Sequence, residues 1–330
     1  MTDKKILIIY FLMPALLFAA LALSLLAGSN DIPLADVFGA LFGRADENSV
    51  AVIMKIRLPR IITAMVTGAG LAASGAVFQG ILKNPLADPF TLGISGGAAF
   101  GTAAGFVLGF ASISWLFIPF FAFAGALFAV FAVYVLSYGK RFDSNSIILS
   151  GVIISYIFSS AVMLLFALSP ANQMQAAFVW LMGNFSTFDE RLLPFVFAIV
   201  ILGALILCLS GNIINAIALG GDKSRTLGID VEKSVKIIFL IASLVTAAAV
   251  SVCGVIGFVG LMMPHIMRKI VGANHSFLIP ASALAGAAFL PLCDALSRSL
   301  FSPVTIPVGV ITSIIGGIFF IFLLTRSKER

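Results

Sequence analysis

Charge is what this sequence has least of. Only 10% of its 330 residues are Asp, Glu, Lys or Arg, whereas 61% are hydrophobic. A water-soluble chain of this length needs far more polar surface to cover one or two domains, so a soluble fold is excluded. Cysteine is also scarce. Cys208, Cys253 and Cys293 lie in separate apolar runs without CxxC or metal-ligand spacing, and read as small buried side chains. The two histidines, His265 and His275, have no carboxylate cluster beside them, which leaves little material for an enzyme site at a membrane face. A chain of buried acids or histidines, as a proton-coupled secondary carrier requires, is likewise missing. No GxxxxGK[ST] phosphate loop occurs, and the one Gly-Lys pair is Gly139–Lys140. If ATP drives this protein, another chain binds it.

What the sequence has in quantity is long apolar runs, with a mean hydropathy of +1.15. A membrane-crossing helix takes roughly 20 apolar residues. Runs suited to this cover 6–27, 61–82, 90–110, 115–136, 147–168, 192–209, 235–253, 255–267, 277–293 and 306–324. The first has the basic flank of a signal peptide but exceeds a normal signal core, and is expected to be a retained span. The sequence therefore predicts an all-α polytopic membrane protein with about ten transmembrane helices, forming a single domain over 1–330.

Ten spans put both termini on one side. With Lys4 and Lys5 cytoplasmic, fourteen of the twenty Lys and Arg residues fall on that side, as the positive-inside rule favours. Net charge of +6 then implies nothing about nucleic acid; the position of the charges carries the information. Arg57 and Arg60, in "RLPR", fall on the outer side against the rule, and so does Arg298. Positive charge kept where it is disfavoured suggests a partner that needs it. Asp294 stands four residues before Arg298, at the spacing of an intrahelical ion pair. Pro264 precedes His265 and is expected to break the short eighth span.

Three segments are more than apolar filler. "VTGAGLAASGAVFQG" is rich in small residues at four-residue spacing, which lets helix backbones approach closely in lipid. "KNPLADP", residues 83–89, has two prolines within five residues and forces a break between spans two and three. "IALGGDKSRTLGIDVEKS" is the longest polar cytoplasmic segment; Asp222 is placed to cap a short helix that Gly228 ends. Such a helix is too short to stand alone in water. From the residues alone it is either a docking element or an ordinary connector.

"RLPR", "GAGLAASGAVFQGILKNPLADPFTLGISGG", "WLMG" (residues 180–183), "ALGGDKSRTLGI", "GVIGFVGLMMPHIMR" and "PVGVITSIIGG" follow one another in an order and spacing that resemble a known family. It is the permease subunit of type II ABC importers, which serve iron-siderophore, haem and vitamin B12 uptake. The resemblance implies the type II ABC importer permease fold in a bacterial or archaeal cytoplasmic (inner) membrane. It also implies a homodimer with the path on its two-fold axis, two ATP-binding-cassette ATPase subunits, and a periplasmic or lipid-anchored substrate-binding protein. The chain itself then binds no cofactor; ATP and Mg belong to the ATPase.

By motif, the resemblance puts the arginines that receive the binding protein's carboxylates at Arg57, Arg60 and Arg298. It puts the ATPase coupling loop at about 211–234, with Ala218, Leu219, Gly220, Gly221, Ser224, Arg225, Leu227 and Gly228. Relatives usually carry alanine where Ser224 stands. The cytoplasmic gate falls on Asn84 and Leu86 and, by a looser match in "RFDSNS", on Asp143 and Ser144. The expected function is import of a metal chelate, a ferric siderophore above all. Vitamin B12 and haem are the alternatives within the class, and an ATP-independent secondary carrier is the alternative outside it.

Overall fold

The computed structural model describes residues 11–27, 37, 39–40, 46–138, 143–185, 191–219, 224, 229–301 and 304–327. Among these residues there is helix and no strand. The principal helices are α1 (Met13–Leu26), α2 (Leu58–Ile81), α3 (Ile94–Val107), α4 (Phe117–Tyr138), α5 (Ser144–Ala167) and α6 (Ala171–Leu181). They continue as α7 (Leu193–Leu209), α8 (Gly211–Ala218), α9 (Val231–Cys253), α10 (Val259–Val271), α11 (His275–Ser299) and α12 (Val308–Ser327).

Each apolar run read from the sequence overlaps one of these helices, and residues 6–10 of the first run lie outside the described residues. By length and composition six of the described helices are apolar and long enough to cross a membrane, or seven if α7 and α8, bent by 49°, count as one. α1 and α3 are apolar but shorter.

The centre of the bundle is α2. A short helix, Glu47–Ala51, and a π-helical turn, Val52–Arg57, lead into it without interruption. Asp46 starts this run by accepting the Ser49 backbone N–H at 3.0 Å. The small residues of α2 do what their spacing predicts: a side chain on Gly68 would collide with the backbone carbonyl of Gly286 on α11, and one on Gly75 with that of Gly260 on α10. Without a hydrophobic drive between helices in lipid, such backbone contact supplies the dispersion that holds them.

The chain direction follows from paired contacts. Arg60, Gly68 and Gly80 of α2 meet Asp294, Gly286 and His275 of α11, so the two helices run antiparallel. Between Arg60 and Ile81 the rise is about 30 Å, the thickness of a bilayer's hydrocarbon core. α9 is antiparallel to α2 as well: Ser74 donates to the Ala242 carbonyl at 3.1 Å, and the Phe78 and Phe239 rings meet edge-on at 5.8 Å.

Pro264 does not break its helix. α10 runs straight through it, and the break falls earlier, at 254–258. A proline cannot donate to the carbonyl four residues back, here that of Gly260. The Gln79 amide donates to that carbonyl instead, and to Leu261, each at 3.4 Å. Arg268 fixes the amide in turn by donating to Gln79 Oε1 at 2.9 Å. His265 packs edge-on against Phe319 and Phe320 of α12.

Candidate functional site

Four sequence segments far apart in the chain converge on one cavity of about 620 Å³. Leu86, Asp88, Phe90 and Thr91 come from the "KNPLADP" turn and its exit, and Leu181 and Met182 from "WLMG". Val255, Gly257, Phe258 and Leu261 come from "GVIGFVGL", and Gly309, Val310, Ser313 and Ile314 from "PVGVITSI". The walls are almost wholly apolar, with one carboxylate and two hydroxyls.

Local chemistry explains how each segment reaches it. α2 ends in a Schellman motif: Lys83 takes the left-handed position (φ 50°), Asn84 N–H reaches the Gln79 carbonyl at 3.2 Å, and Lys83 N–H reaches Gly80 at 3.3 Å. The Asn84 side chain then accepts the Leu86 N–H at 2.9 Å and stiffens the turn. Leu86 is left exposed at the tip while Asp88 is buried beneath it. Burial in apolar surroundings pushes the Asp88 carboxyl up to about 7, against the opposing pull of the Phe90 N–H.

On the opposite wall, the end of α6 is laced into the α9–α10 break. Asn184 N–H bonds the Cys253 carbonyl at 2.8 Å, and Val308 N–H bonds the Gly183 carbonyl at 3.0 Å. Phe258 stands in this break with φ 67°, a left-handed conformation that a bulky side chain rarely accepts. Its ring packs over Gly316 of α12 and is 6.2 Å from Phe320. Neither Phe258 nor Ser313 was singled out from the sequence. The glycines flanking "GF" were the available signal.

The second pair expected at the gate lies at the entry of α5. Asp143 is exposed directly before the helix, and Ser144 opens it, half-buried. α5 is fastened to the turn after "KNPLADP", because Ser155 donates to the Phe90 carbonyl at 3.2 Å. The α4 end and the α9 start meet nearby, with Lys236 Nζ 4.6 Å above the Tyr138 ring.

α8 carries the start of the segment expected to couple to the ATPase, and docks on the entry of α11. Asn215 donates to Asn274 at 2.7 Å and accepts the His275 N–H at 2.8 Å; Ser276 donates to Asn212 at 2.7 Å. Ala218 and Leu219 are exposed at its end. Ser224 is fully buried and donates to the Ala216 carbonyl at 2.6 Å, so the hydroxyl that departs from the family pattern satisfies the end of α8. Gly220, Gly221, Arg225, Leu227 and Gly228 lie outside the described residues. Among the described residues no cluster of His, Cys, Asp or Glu is placed to hold a metal.

The three arginines expected on the outer side gather about 30 Å away, at the other end of the α2–α11 pair. All three are buried, at 4%, 9% and 7% exposure for Arg57, Arg60 and Arg298. Arg60 Nε donates to Asp294 Oδ1 and Oδ2 at 3.0 and 2.9 Å, and its Nη2 to Oδ1 at 2.7 Å. Arg298 Nε donates to Asp294 Oδ2 at 3.1 Å, and its other nitrogens to the Ala27 and Ser24 carbonyls at 2.9 and 3.1 Å. Arg57 donates to the Leu25 carbonyl at 2.6 Å and to Leu26 at 3.3 Å. The cluster thus caps α1, whose last carbonyls have no helical partner and form the negative end of its dipole. The expected ion pair between Asp294 and Arg298 is present; its extension to Arg60, 234 residues away, had no signal in the sequence.

Known proteins match the chain over nearly its whole length. Residues 16–326 match the model of the FecCD transport family. The chain is 37% identical to the uncharacterized ABC transporter permease protein YvrB of Bacillus subtilis (strain 168), over 94% of this chain and 93% of that one. It is 38% identical to the cobalamin import system permease protein BtuC of Halobacterium salinarum, over 86% and 76%. Further relatives at 33–35% identity are named for transport of siderophore, haemin and molybdate. Among solved structures, a metal-chelate type ABC transporter in an inward-facing conformation superposes with a TM-score of 0.84 at 32% identity, covering 96% of this chain and 98% of that one.

Proposed function

Since the chain belongs to the FecCD transport family and is a permease subunit of a type II ABC importer for metal chelates, we propose that its own cargo is a ferric siderophore delivered by an external binding protein. It is a multi-pass protein of the inner membrane and a transport subunit, with ATP hydrolysis belonging to a separate subunit. It performs no covalent chemistry on its cargo. The observation that carries the reading is the convergence of the family segments on one apolar cavity between two oppositely equipped ends.

The end with the "KNPLADP" turn is the cytoplasmic one in this proposal. Lys83, Lys233, Lys236, Arg268 and Lys269 belong to it, α1 enters from it and α12 returns to it, which supports both termini being cytoplasmic. Here the coupling loop, about 211–234 and beginning with α8, meets two ATPase subunits that bind ATP and Mg. Leu86 and Asn84, with Asp143 and Ser144, form the gate. The arginine end faces outward and receives carboxylates of the binding protein. Two copies form a homodimer, and their cavities face each other across the path. Weak, apolar walls suit a bulky chelate that has to be released again.

Reconstituted with its ATPase, the permease should take up ferric siderophore only when binding protein and ATP are both present. Equal uptake without the ATPase would establish a secondary carrier instead. Cargo is identified by the compound that the binding protein retains; haem, molybdate or cobalamin there would replace the siderophore. Docking is tested with Arg57→Gln/Arg60→Gln, which lowers the cluster's net charge without setting a second acid beside Asp294. Binding-protein affinity at low salt should fall about tenfold or more; an unchanged affinity would remove the docking surface.

A further inference from the structure

Among the described residues lining the apolar cavity, one side chain can carry charge, that of Asp88. It is buried, at 7% exposure, and no described Lys, Arg or His forms an ion pair with it. Its partners are neutral. Thr91 donates to the Asp88 carbonyl at 2.8 Å, the Phe90 N–H serves the carboxyl, and Oδ1 rests against Gly260 in the first turn of α10. The α6 end and α12 face the cavity with Leu181, Met182, Val310, Ser313 and Ile314, none of which titrates. The charged and titratable groups of the neighbouring elements are engaged elsewhere or turned away. Lys83 of the same turn is exposed, Arg268 of α10 donates to Gln79, and His265 of α10 packs on the Phe319 and Phe320 rings. A carboxylate in such a place meets like charge with little screening by water.

Resting on the reading of this cavity as the path of a ferric siderophore, we infer that Asp88 selects cargo by charge, so that the chelate carried is neutral or cationic, of the ferric trihydroxamate kind. Three hydroxamates lose one proton each and cancel the charge of ferric iron. Three catecholates lose two each and leave the complex strongly anionic. Asp88 does not ligate the iron in either case. A neutral chelate passes whether or not the carboxyl holds its proton, and a cationic one pairs with the ionised form. An anion is admitted by the protonated form alone, so its passage scales with the fraction of carboxyls in that form.

The test uses the permease assembled with its ATPase in proteoliposomes, with binding protein preloaded and isolated so that every molecule carries cargo. Two probes are compared, a neutral ferric trihydroxamate and the same chelate bearing one peripheral carboxylate. Radioactive iron taken up is counted per loaded binding protein. The Asp88 carboxyl loses its proton at about 7. At pH 8 about one carboxyl in ten is still protonated, so the neutral probe should enter about tenfold faster than the anionic one. At pH 6 most are protonated, and the ratio should fall to about one. Asp88→Asn should bring the ratio at pH 8 to about one as well. Equal rates for both probes in the wild type at pH 8, or a preference that persists in Asp88→Asn, overturns the inference and leaves a siderophore importer in place. Should Asp88→Asn fail to assemble, the wild-type ratios decide, and a ratio unchanged between pH 6 and pH 8 refutes the role of Asp88. Uptake of neither probe would remove the ferric siderophore reading, and this inference with it.

Discussion

At the scale of single residues, the chain keeps its few polar groups where backbone would otherwise go unpaired. Gln79 is the clearest case, because it supplies the two donors that surround the gap left by Pro264. Gln79→Ala should lower stability by about 1–3 kcal/mol, the cost of an unsatisfied buried carbonyl, read as the unfolding midpoint in detergent. Asp88 makes a prediction of opposite character. Its carboxyl is raised to about 7 in the fold and titrates near the ordinary value of 3.8 when unfolded. The folded chain thus holds a proton that the unfolded chain has lost between those values, so stability should fall as pH rises from about 4 to about 7 and level off above. Asp88→Asn should flatten that slope in a thermal melt; an unaltered slope would show that the carboxyl is hydrated. These roles were not legible in the sequence. Proline and glutamine stand 185 positions apart, and no periodicity reports a contact between one helix and a carbonyl of another.

At the scale of elements, apolar run length located nearly every helix, since each had to satisfy its backbone without water. α6 was missed because its eleven residues, "ANQMQAAFVWL", begin polar and are too few to span. The "KNPLADP" break, the small-residue face of α2 and the Asp294–Arg298 pair were all legible, because proline, glycine and i,i+4 spacing act locally. The tertiary fork to Arg60 was not. Two predictions belong here. Gly286→Leu should prevent α2 and α11 from closing, and the measurable consequence is loss of a monodisperse complex on size exclusion. Bulky residues at Gly220 and Gly228 should uncouple ATP hydrolysis from uptake while ATPase binding persists; unimpaired uptake would remove the coupling role.

At the scale of the whole molecule, burial is uneven. In the most apolar 18-residue stretch of Glu47–Ile81, 78% of the residues are buried, against 28% in Val308–Thr325. α12 is thus left largely bare, and Ile314, on its exposed side, also lines the cavity. In the homodimer proposed above, this face would be the one covered by the second copy. Ile314→Cys should therefore cross-link two chains under mild oxidation in membranes; a strictly monomeric product would move the dimer axis elsewhere.

The glycine contact between α2 and α11 also has a mechanical meaning. Gly68 lies about 12 Å from Arg60 and about 18 Å from Gly80 along the helix. Backbone seated on backbone leaves no room for even a methyl group between the two helices there, and the Arg60–Asp294 fork fastens one end of the same seam, so α2 and α11 keep their register as a single piece.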